Sequence, residues 1–347
     1  MNNDRPITLL WAVRSHCDLG CDYCYYGEVA DHQIAPPTKP GQLSHVSPND
    51  MKRREVLAFA ETLPGSAVGR IFLAGGEPLN WPGILELIEL IKQAGIEVVV
   101  CTNGIPLTRP VIVERLLELG VDAVSISLDS TDPAANDAHR PSRDGQHGWH
   151  DVVAGTRALI AARGQAAYPK VGLYSVVTHE SIDEIIPMGH LARDLGVDYY
   201  VPQPVALDEE HKLHATLSLR ADDTPRLHQA LTELYEANLP LVLPDTGYPQ
   251  QVASTVDRTT ATAPGCFGGH TLFFVQPDGA TWDCPSSLRI DATDASARRS
   301  IRGADAAEIF PAPRGCAADC PLFSFECVNM WPLMDFTRIT AHERSDA

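Results

Sequence analysis

The chain has no run of about 18 consecutive apolar residues, which excludes a membrane-spanning helix. Its first residues, MNNDRPITLL, lack a basic stretch leading into an apolar core and a small-residue cleavage site, so no secretory signal is expected and the location is read as cytoplasmic. Positive charge is scarce: 27 Lys and Arg stand against 45 Asp and Glu, a net charge of −18. That balance argues against a nucleic-acid partner, whose phosphates demand a basic footprint. No GxGxxG follows the first apolar run, which removes support for a dinucleotide-binding fold. No repeat recurs at a fixed spacing of roughly 20–50 residues. At 347 residues the chain can bury a large core and, at about 150 residues per domain, is expected to hold two domains.

Cysteine, by contrast, is plentiful. There are nine, and eight fall in two groups: Cys17, Cys21 and Cys24 near one end, and Cys266, Cys284, Cys316, Cys320 and Cys327 near the other. An odd count without a secretion signal points to thiolates kept reduced for metal binding or catalysis rather than to a disulfide scaffold. Cys101 stands alone in the apolar run IEVVVC and reads as core packing.

Between the two groups, short runs rich in Val, Ile, Leu and Tyr alternate with amphipathic stretches. Strands are expected at 7–13, 70–74, 96–101, 122–128, 170–177 and 198–202. Helices are expected at 48–63, 82–94, 108–119, 148–163 and 181–195, with Gly95, Gly120 and Gly196 as stops, and a further helix at 222–238. Such alternation predicts an α/β fold with a parallel sheet and helical crossovers. It favours a partial (β/α)6 TIM-like barrel over an open doubly wound sheet, although periodicity alone does not separate the two. The expected division is a barrel over 1–215, a helix and linker over 216–264, a small Cys-rich domain over 265–337 and a polar, frayed tail over 338–347. In the third part, Pro277-Asp278-Gly279 reads as a turn between two short strands.

Cys17-Asp-Leu-Gly-Cys21-Asp-Tyr-Cys24 is a CxxxCxxC triplet directly after the first strand. Soft thiolates select zinc, copper(I) or iron–sulfur. A structural zinc site wants four ligands, and no well-spaced fourth is nearby. Three thiolates on a [4Fe–4S] cluster leave one iron open.

This triplet resembles that of the radical S-adenosylmethionine (SAM) superfamily, and Tyr23 fits the same pattern. FLAGGEPL (72–79) resembles the GGEP segment that receives the amino group of SAM. CTNG (101–104) and SISLDS (125–130) fall after the third strand and at the end of the fourth. DAHRPSRDG (137–145) resembles the segment that brings an arginine, here Arg140, to the methionine carboxylate. The resemblance covers about residues 7–205. It implies a SAM site built from Tyr23, Gly75, Gly76, Glu77, Pro78, Asn103, Ser127, Asp129 and Arg140 beside a [4Fe–4S] cluster with an open iron on Cys17, Cys21 and Cys24. It also implies a flavodoxin- or ferredoxin-type reductant, cleavage of SAM to methionine and a 5′-deoxyadenosyl radical, and removal of a hydrogen atom from an unactivated carbon. Physical chemistry points the same way. In barrels the site lies at the C-terminal ends of the strands, where the Cys loop, Gly75 to Pro78, Asn103, Ser127 to Asp129, Thr178-His179 and Gln203 fall. Gly75 and Gly76 would let backbone approach a ligand, and Glu77 can accept from an ammonium.

Toward the other end, Cys266, Gly279 and Cys284 are spaced as in the SPASM and twitch extensions of this superfamily, which carry auxiliary [4Fe–4S] clusters. Two fully Cys-ligated clusters would need about eight cysteines, and five are present. One auxiliary cluster is therefore expected, on Cys266, Cys284, Cys316 and Cys320, with a zinc ribbon as the alternative for this tetrad. Three readings stay open for Cys327: a ligand replacing Cys316 or Cys320, a hydrogen-atom donor beside the substrate, or a buried small hydrophobe. Phe323, Phe325, Trp331 and Phe336 are read as packing of this small domain.

The extension implies a peptide substrate, matured by crosslinking or epimerisation as in ribosomal peptide natural products. The alternative is a dehydrogenase, epimerase or decarboxylase acting on an aminocyclitol, sugar or nucleoside in antibiotic biosynthesis. A non-catalytic iron–sulfur or zinc protein is a third reading. Only 16 residues precede Cys17, too few for a leader-binding domain, so a precursor peptide would be expected to bind the barrel rim or a separate protein.

Overall fold

The computed structural model describes residues 6–24, 49–207, 209, 211, 213–257, 266–313, 320, 322 and 324–341. Cys316, Phe323 and residues 342–347 of the expected tail lie outside them.

Six strands and their crossovers follow in order: β1 (Ile7–Ala12), α1 (Arg53–Ala60), β2 (Val68–Ala74), α2 (Ile84–Gln93), β3 (Glu97–Thr102), α3 (Pro110–Glu118), β4 (Ala123–Ser127), α4 (Pro133–His139), α5 (Trp149–Arg163), β5 (Lys170–Val177), α6 (Ile185–Leu195) and β6 (Tyr199–Pro204). Then come α7 (His214–Leu217), α8 (Thr224–Glu236), α9 (Tyr248–Val256), β7 (Leu272–Val275), β8 (Ala280–Trp282), α10 (Ser287–Asp291), β9 (Arg299–Ser300), α11 (Ala306–Ile309), α12 (Phe325–Met334) and α13 (Thr337–Ala341). Among the described residues the nine strands form one sheet, ordered β6-β5-β4-β3-β2-β1-β7-β8-β9. Neighbours from β6 through β1 to β7 pair in parallel, and β8 and β9 add antiparallel. This is the partial (β/α)6 barrel expected, open at β6 and extended past β1.

The strands read as near-continuous apolar runs because both faces are covered. Period-two alternation sends Leu9, Trp11, Ile71, Leu73, Val98 and Val100 outward, into the layer shared with the helices. Leu10, Ala12, Phe72, Ala74 and Val99 point inward. Charges at the lower, N-terminal end tie neighbouring helices and strands together. The Arg163 guanidinium, fully buried, pairs with Asp198, which also accepts from the Val171 N–H at 2.7 Å. Asp122 accepts from Lys92 Nζ at 2.6 Å and from the Val98 N–H at 2.7 Å. That face serves stability and leaves the opposite one for chemistry.

Four expectations are corrected. The first helix, expected from 48, begins at Arg53 because the residues before it are otherwise engaged. Asp50 accepts from the Ser15 hydroxyl at 2.7 Å and its N–H at 2.9 Å, and the Met51 N–H donates to the Pro277 carbonyl. The Pro- and Thr-rich stretch read as linker contains α9, whose Tyr248 is buried and donates to the Pro202 carbonyl at 2.9 Å. β7 is not confined to a separate domain, since it pairs with β1. Residues 338–341, placed in the frayed tail, are helical, with Ile339 and Thr340 buried and the Tyr168 hydroxyl donating to the Thr340 carbonyl at 2.8 Å.

Candidate functional site

The loop after β1 carries Cys17, Cys21 and Cys24 and is clasped from two sides. The segment after α4 holds it by backbone: Gly20 N–H to Pro141 O at 2.8 Å, Asp22 N–H to His139 O and Arg143 N–H to Asp18 O, both at 2.9 Å. Arg143 Nε adds a bond to the Cys17 carbonyl at 2.9 Å. From the other side, Gly76 N–H donates to Arg14 O at 2.8 Å and Glu77 N–H to His16 O at 3.0 Å. A Cβ on Gly76 would lie 2.0 Å from the His16 carbonyl oxygen, and Gly75 sits at φ +119° with Arg14 O 2.6 Å from its would-be Cβ. Both positions require glycine. The backbone they approach is that of the Cys loop, rather than only a ligand as expected.

Glu77 departs further from expectation. It is completely buried, and its carboxylate accepts from Leu79 N–H (2.9 Å), the Thr102 hydroxyl (2.9 Å) and Asn103 N–H (2.7 Å). It therefore splints the β2 and β3 loops from behind the site, with Pro78 beside it, and neither lines the cavity in front. Burial, aided by nearby Asp18, pushes its pKa up to about 8 against the pull of those donors. Asn103 does face the cavity. Its Nδ2 donates to Asp18 Oδ1 at 2.6 Å, with Cys17 Sγ at 3.9 Å.

Arg140 reaches in from the end of α4. Its Nε and Nη2 fork onto Asp129, and its Nη1 donates to Cys21 Sγ at 3.8 Å. Burial opposes its charge, but Asp129, Cys21 and Tyr23 outweigh that and hold its pKa well above the ordinary value. Asp129 also accepts from the Tyr23 hydroxyl and from Val176 N–H. It thus acts behind Arg140 and does not line the cavity. Burial, then Asp129, pushes the Tyr23 phenol up, so it stays a donor. Burial also pushes the Cys17 and Cys21 thiols up, Cys21 to about 12.

Cys17, Cys21, Tyr23, Cys24, Gly75, Gly76, Asn103, Ser127 and Arg140 share one cavity of about 250 Å³ at the C-terminal ends of the strands. Its deeper wall was not foreseen. Leu10, Phe72, Ala74 and Cys101 line it from the barrel, and α12 closes it with Glu326, Asn329, Met330 and Leu333. Cys101, read as core packing, faces this cavity, and burial raises its thiol to about 12. The signal was available, because Cys101 shares the inward parity of Val99. Two buried polar atoms in the wall, Tyr174 Oη and Asn329 Oδ1, have no hydrogen-bond partner among the described residues. Thr178 and His179 do not line the cavity; His179 Nδ1 pairs with Asp223 at 2.8 Å.

The C-terminal cysteines form a second cavity of about 20 Å³, lined by Cys266, Cys284, Cys320 and Cys327. Cys327 sits there and not on the larger cavity. Of the four aromatics expected to pack this region, Trp331 lines the second cavity, whereas Phe336 plugs the barrel, edge-on to Phe72 at 5.1 Å and Tyr199 at 5.6 Å. Among the described residues no three His, Cys, Asp or Glu side chains converge closely enough to hold a single ion.

Residues 13–192 match the family model for the radical SAM superfamily. The chain is 24% identical over 292 residues to the AdoMet-dependent heme synthase of Methanosarcina barkeri, covering 80% of this chain and 76% of that one. It is 24% identical over 285 residues to mycofactocin maturase MftC of Mycobacterium tuberculosis, covering 82% and 66%. The solved structure of native anSMEcpe with bound AdoMet superposes with a TM-score of 0.65 at 16% identity over 97% of this chain and 98% of that one, a likeness of fold. No described helix is long and apolar enough to cross a membrane. With the family matched over more than half its length and the CxxxCxxC loop, Gly75-Gly76 and Arg140 gathered on one cavity, the chain belongs to the radical SAM superfamily and is an enzyme of it.

Proposed function

We propose that this enzyme modifies a peptide, forming a crosslink or inverting a stereocentre, and that it carries one auxiliary [4Fe–4S] cluster beside the SAM cluster. The observation that carries the reading is the reaction cavity itself, with three thiols and Arg140 at its mouth and a mostly apolar inner wall completed by α12. The residues fit the groups the family uses. Three thiols of one short loop face one cavity, and a [4Fe–4S] cluster so held keeps an iron free for SAM. When bound, the cluster and SAM together supply a carbon-centred radical able to take hydrogen from an unactivated C–H.

The chain's own residues do the rest. Gly75 and Gly76 line the cavity and let the β2 loop pack against the backbone of the Cys loop, where a side chain would clash with Arg14 and His16. Asn103 holds the Cys17 side of the loop through Asp18. Arg140, fixed in angle by Asp129 and donating Nη1 to Cys21 Sγ, is the cation on this cavity that would receive the anionic end of SAM. The apolar wall excludes water and confines substrate beside the place where hydrogen would be taken. Tyr174 and Asn329 are polar residues lining this largely apolar pocket, each with a buried side-chain atom that has no partner among the described residues. MftC is named a maturase, and anSMEcpe has also been solved with the Kp18Cys peptide, at a TM-score of 0.63 to this chain.

The test is to incubate reconstituted enzyme, SAM and dithionite with a short peptide encoded beside its gene, in deuterated water. Loss of two hydrogens marks a crosslink, and one solvent deuterium at an α-carbon marks epimerisation. An unchanged peptide, with turnover instead of an aminocyclitol, sugar or nucleoside, would overturn the peptide reading.

A further inference from the structure

Four thiols, those of Cys266, Cys284, Cys320 and Cys327, already close around the second cavity. Cys266 hydrogen-bonds Cys320, the charge of Cys266 is felt at Cys284 and at Cys327, and that of Cys327 at Cys284. Burial raises the Cys266, Cys284 and Cys327 thiols, and hydrogen-bond donors at the sulfurs pull the other way. Backbone N–H groups of Gly268, Ser286 and Ser324 point at Cys266, Cys284 and Cys327. The Ser324 hydroxyl lies 3.8 Å from Cys327 Sγ. Hydrogen bonds to sulfur of this kind stabilise and tune iron–sulfur clusters. Gly268 keeps the space open, because a Cβ there would sit 3.0 Å from Cys284 Cβ and 3.5 Å from Cys266 Sγ. A cubane cluster takes four thiolates, one per iron, and that complement is met without a fifth cysteine.

Cys327 differs from the other three in what it is attached to. It lies in the first turn of α12. One helical face along from it, Glu326, Asn329, Met330 and Leu333 recur at helical spacing and line the reaction cavity, while Glu326 and Met330 also touch the cysteine cavity. Asn329 Nδ2 donates to Pro204 O at 3.0 Å and Gln203 Nε2 to Asn329 O at 3.1 Å, so the helix is bonded to the end of β6 as well.

We propose that Cys327, rather than Cys316, is the fourth ligand of the auxiliary cluster, and that the cluster thereby anchors α12 as the substrate-side wall of the reaction cavity. This rests on the reading of the C-terminal cysteines as an iron–sulfur site. Assembly of one metal site then shapes the other site's pocket, through a single helix and without a residue shared between the two ligand sets.

The experiment uses full-length protein, reconstituted anaerobically with iron and sulfide. Alkylation followed by peptide mapping of the wild type is expected to modify Cys316 and spare Cys327. Cys316→Ala is expected to keep about eight irons per chain and Cys327→Ala about four, with the SAM cluster as the internal control for folding. Hydrogen exchange of residues 325–334 is expected to slow several-fold on iron loading in the wild type and not in Cys327→Ala. Protection of Cys316 with alkylation of Cys327, or loss of about four irons from Cys316→Ala alone, would overturn the assignment. Unchanged exchange in α12 on loading would overturn the anchoring. Stoichiometric zinc in place of iron in the wild-type C-terminal site would instead overturn the iron–sulfur reading beneath it, whichever cysteine is protected.

Discussion

The two cysteine sites are built on opposite plans. The first packs its thiols into one loop, Cys17 to Cys24, and hangs that loop on strand ends through backbone bonds to the β2 loop and to the segment after α4. The second gathers thiols strung from Cys266 to Cys327 on short strands, turns and one helix. A site assembled on a barrel rim is held by the core beneath it before any metal arrives. A site assembled from loops and three-residue strands has little core of its own, and the auxiliary cluster proposed there would supply much of its folding free energy.

That contrast can be broken most forcefully at the second site. Replacing Cys266 and Cys284 together by Ala should remove about four irons per chain. It should also make the segment from Cys266 onward protease-sensitive, while reductive SAM cleavage survives. Loss of SAM cleavage, measured as 5′-deoxyadenosine, would show that the second site supports the SAM cluster itself and not only the α12 wall of the cavity.

A smaller effect is expected at the first site from Arg140→Ala in metal-free protein. The change leaves Asp129, only 6% exposed, without its cation. Breaking such a buried pair costs on the order of 3–5 kcal/mol. Denaturant unfolding should show that loss, and SAM binding should weaken as well. A change under about 0.5 kcal/mol would mean that the pair does not brace the rim.

Glu77 sharpens the comparison through pH. Its folded pKa of about 8 lies above the ordinary 4.5. A carboxyl raised in this way binds its proton more tightly folded than unfolded. Its contribution to stability is thus full below the ordinary value and lost as pH rises through about 8. Metal-free protein should lose stability between about pH 5 and pH 8. Glu77→Gln should flatten that slope, at a constant cost of about 1–3 kcal/mol because an amide nitrogen must face one of three donors. An unaltered slope in the variant would remove Glu77 as its source.

The smallest expected effect is that of Tyr174→Phe. Its hydroxyl has no partner to lose, so unfolding and SAM cleavage in the absence of substrate should stay near wild type. Product formation should fall, or its regiochemistry shift, if that hydroxyl orients substrate.

The same contrast governs what could be read in advance. The strands were legible because six of them are apolar on both faces, and each is bounded by turn residues. The Cys17 loop, Gly75-Gly76, Asn103 and Arg140 were legible because each occupies a short contiguous motif, the first three at strand ends and Arg140 at the end of α4. Glu77 was misjudged because motif position does not reveal orientation, and its carboxylate is consumed by three donors from two loops. The deeper wall was hidden for a different reason. Asn329 and Leu333 are far in sequence from the barrel, and nothing local marks α12 as the element that closes it. α9 was missed because its Pro and Thr content imitates a linker, although Pro249 lies in the first helical turn, where proline is tolerated.

Cys17, Cys21 and Cys24 are proposed to hold the cluster that cleaves SAM, and the C-terminal cysteines a second cluster on ligands of their own. The most direct measurement is the iron content and 5′-deoxyadenosine yield of the Cys17→Ala, Cys21→Ala, Cys24→Ala triple variant after anaerobic reconstitution, with SAM and dithionite. The expected result is about four irons per chain and no 5′-deoxyadenosine. Continued formation of 5′-deoxyadenosine, or a variant that binds no iron at all, would contradict it.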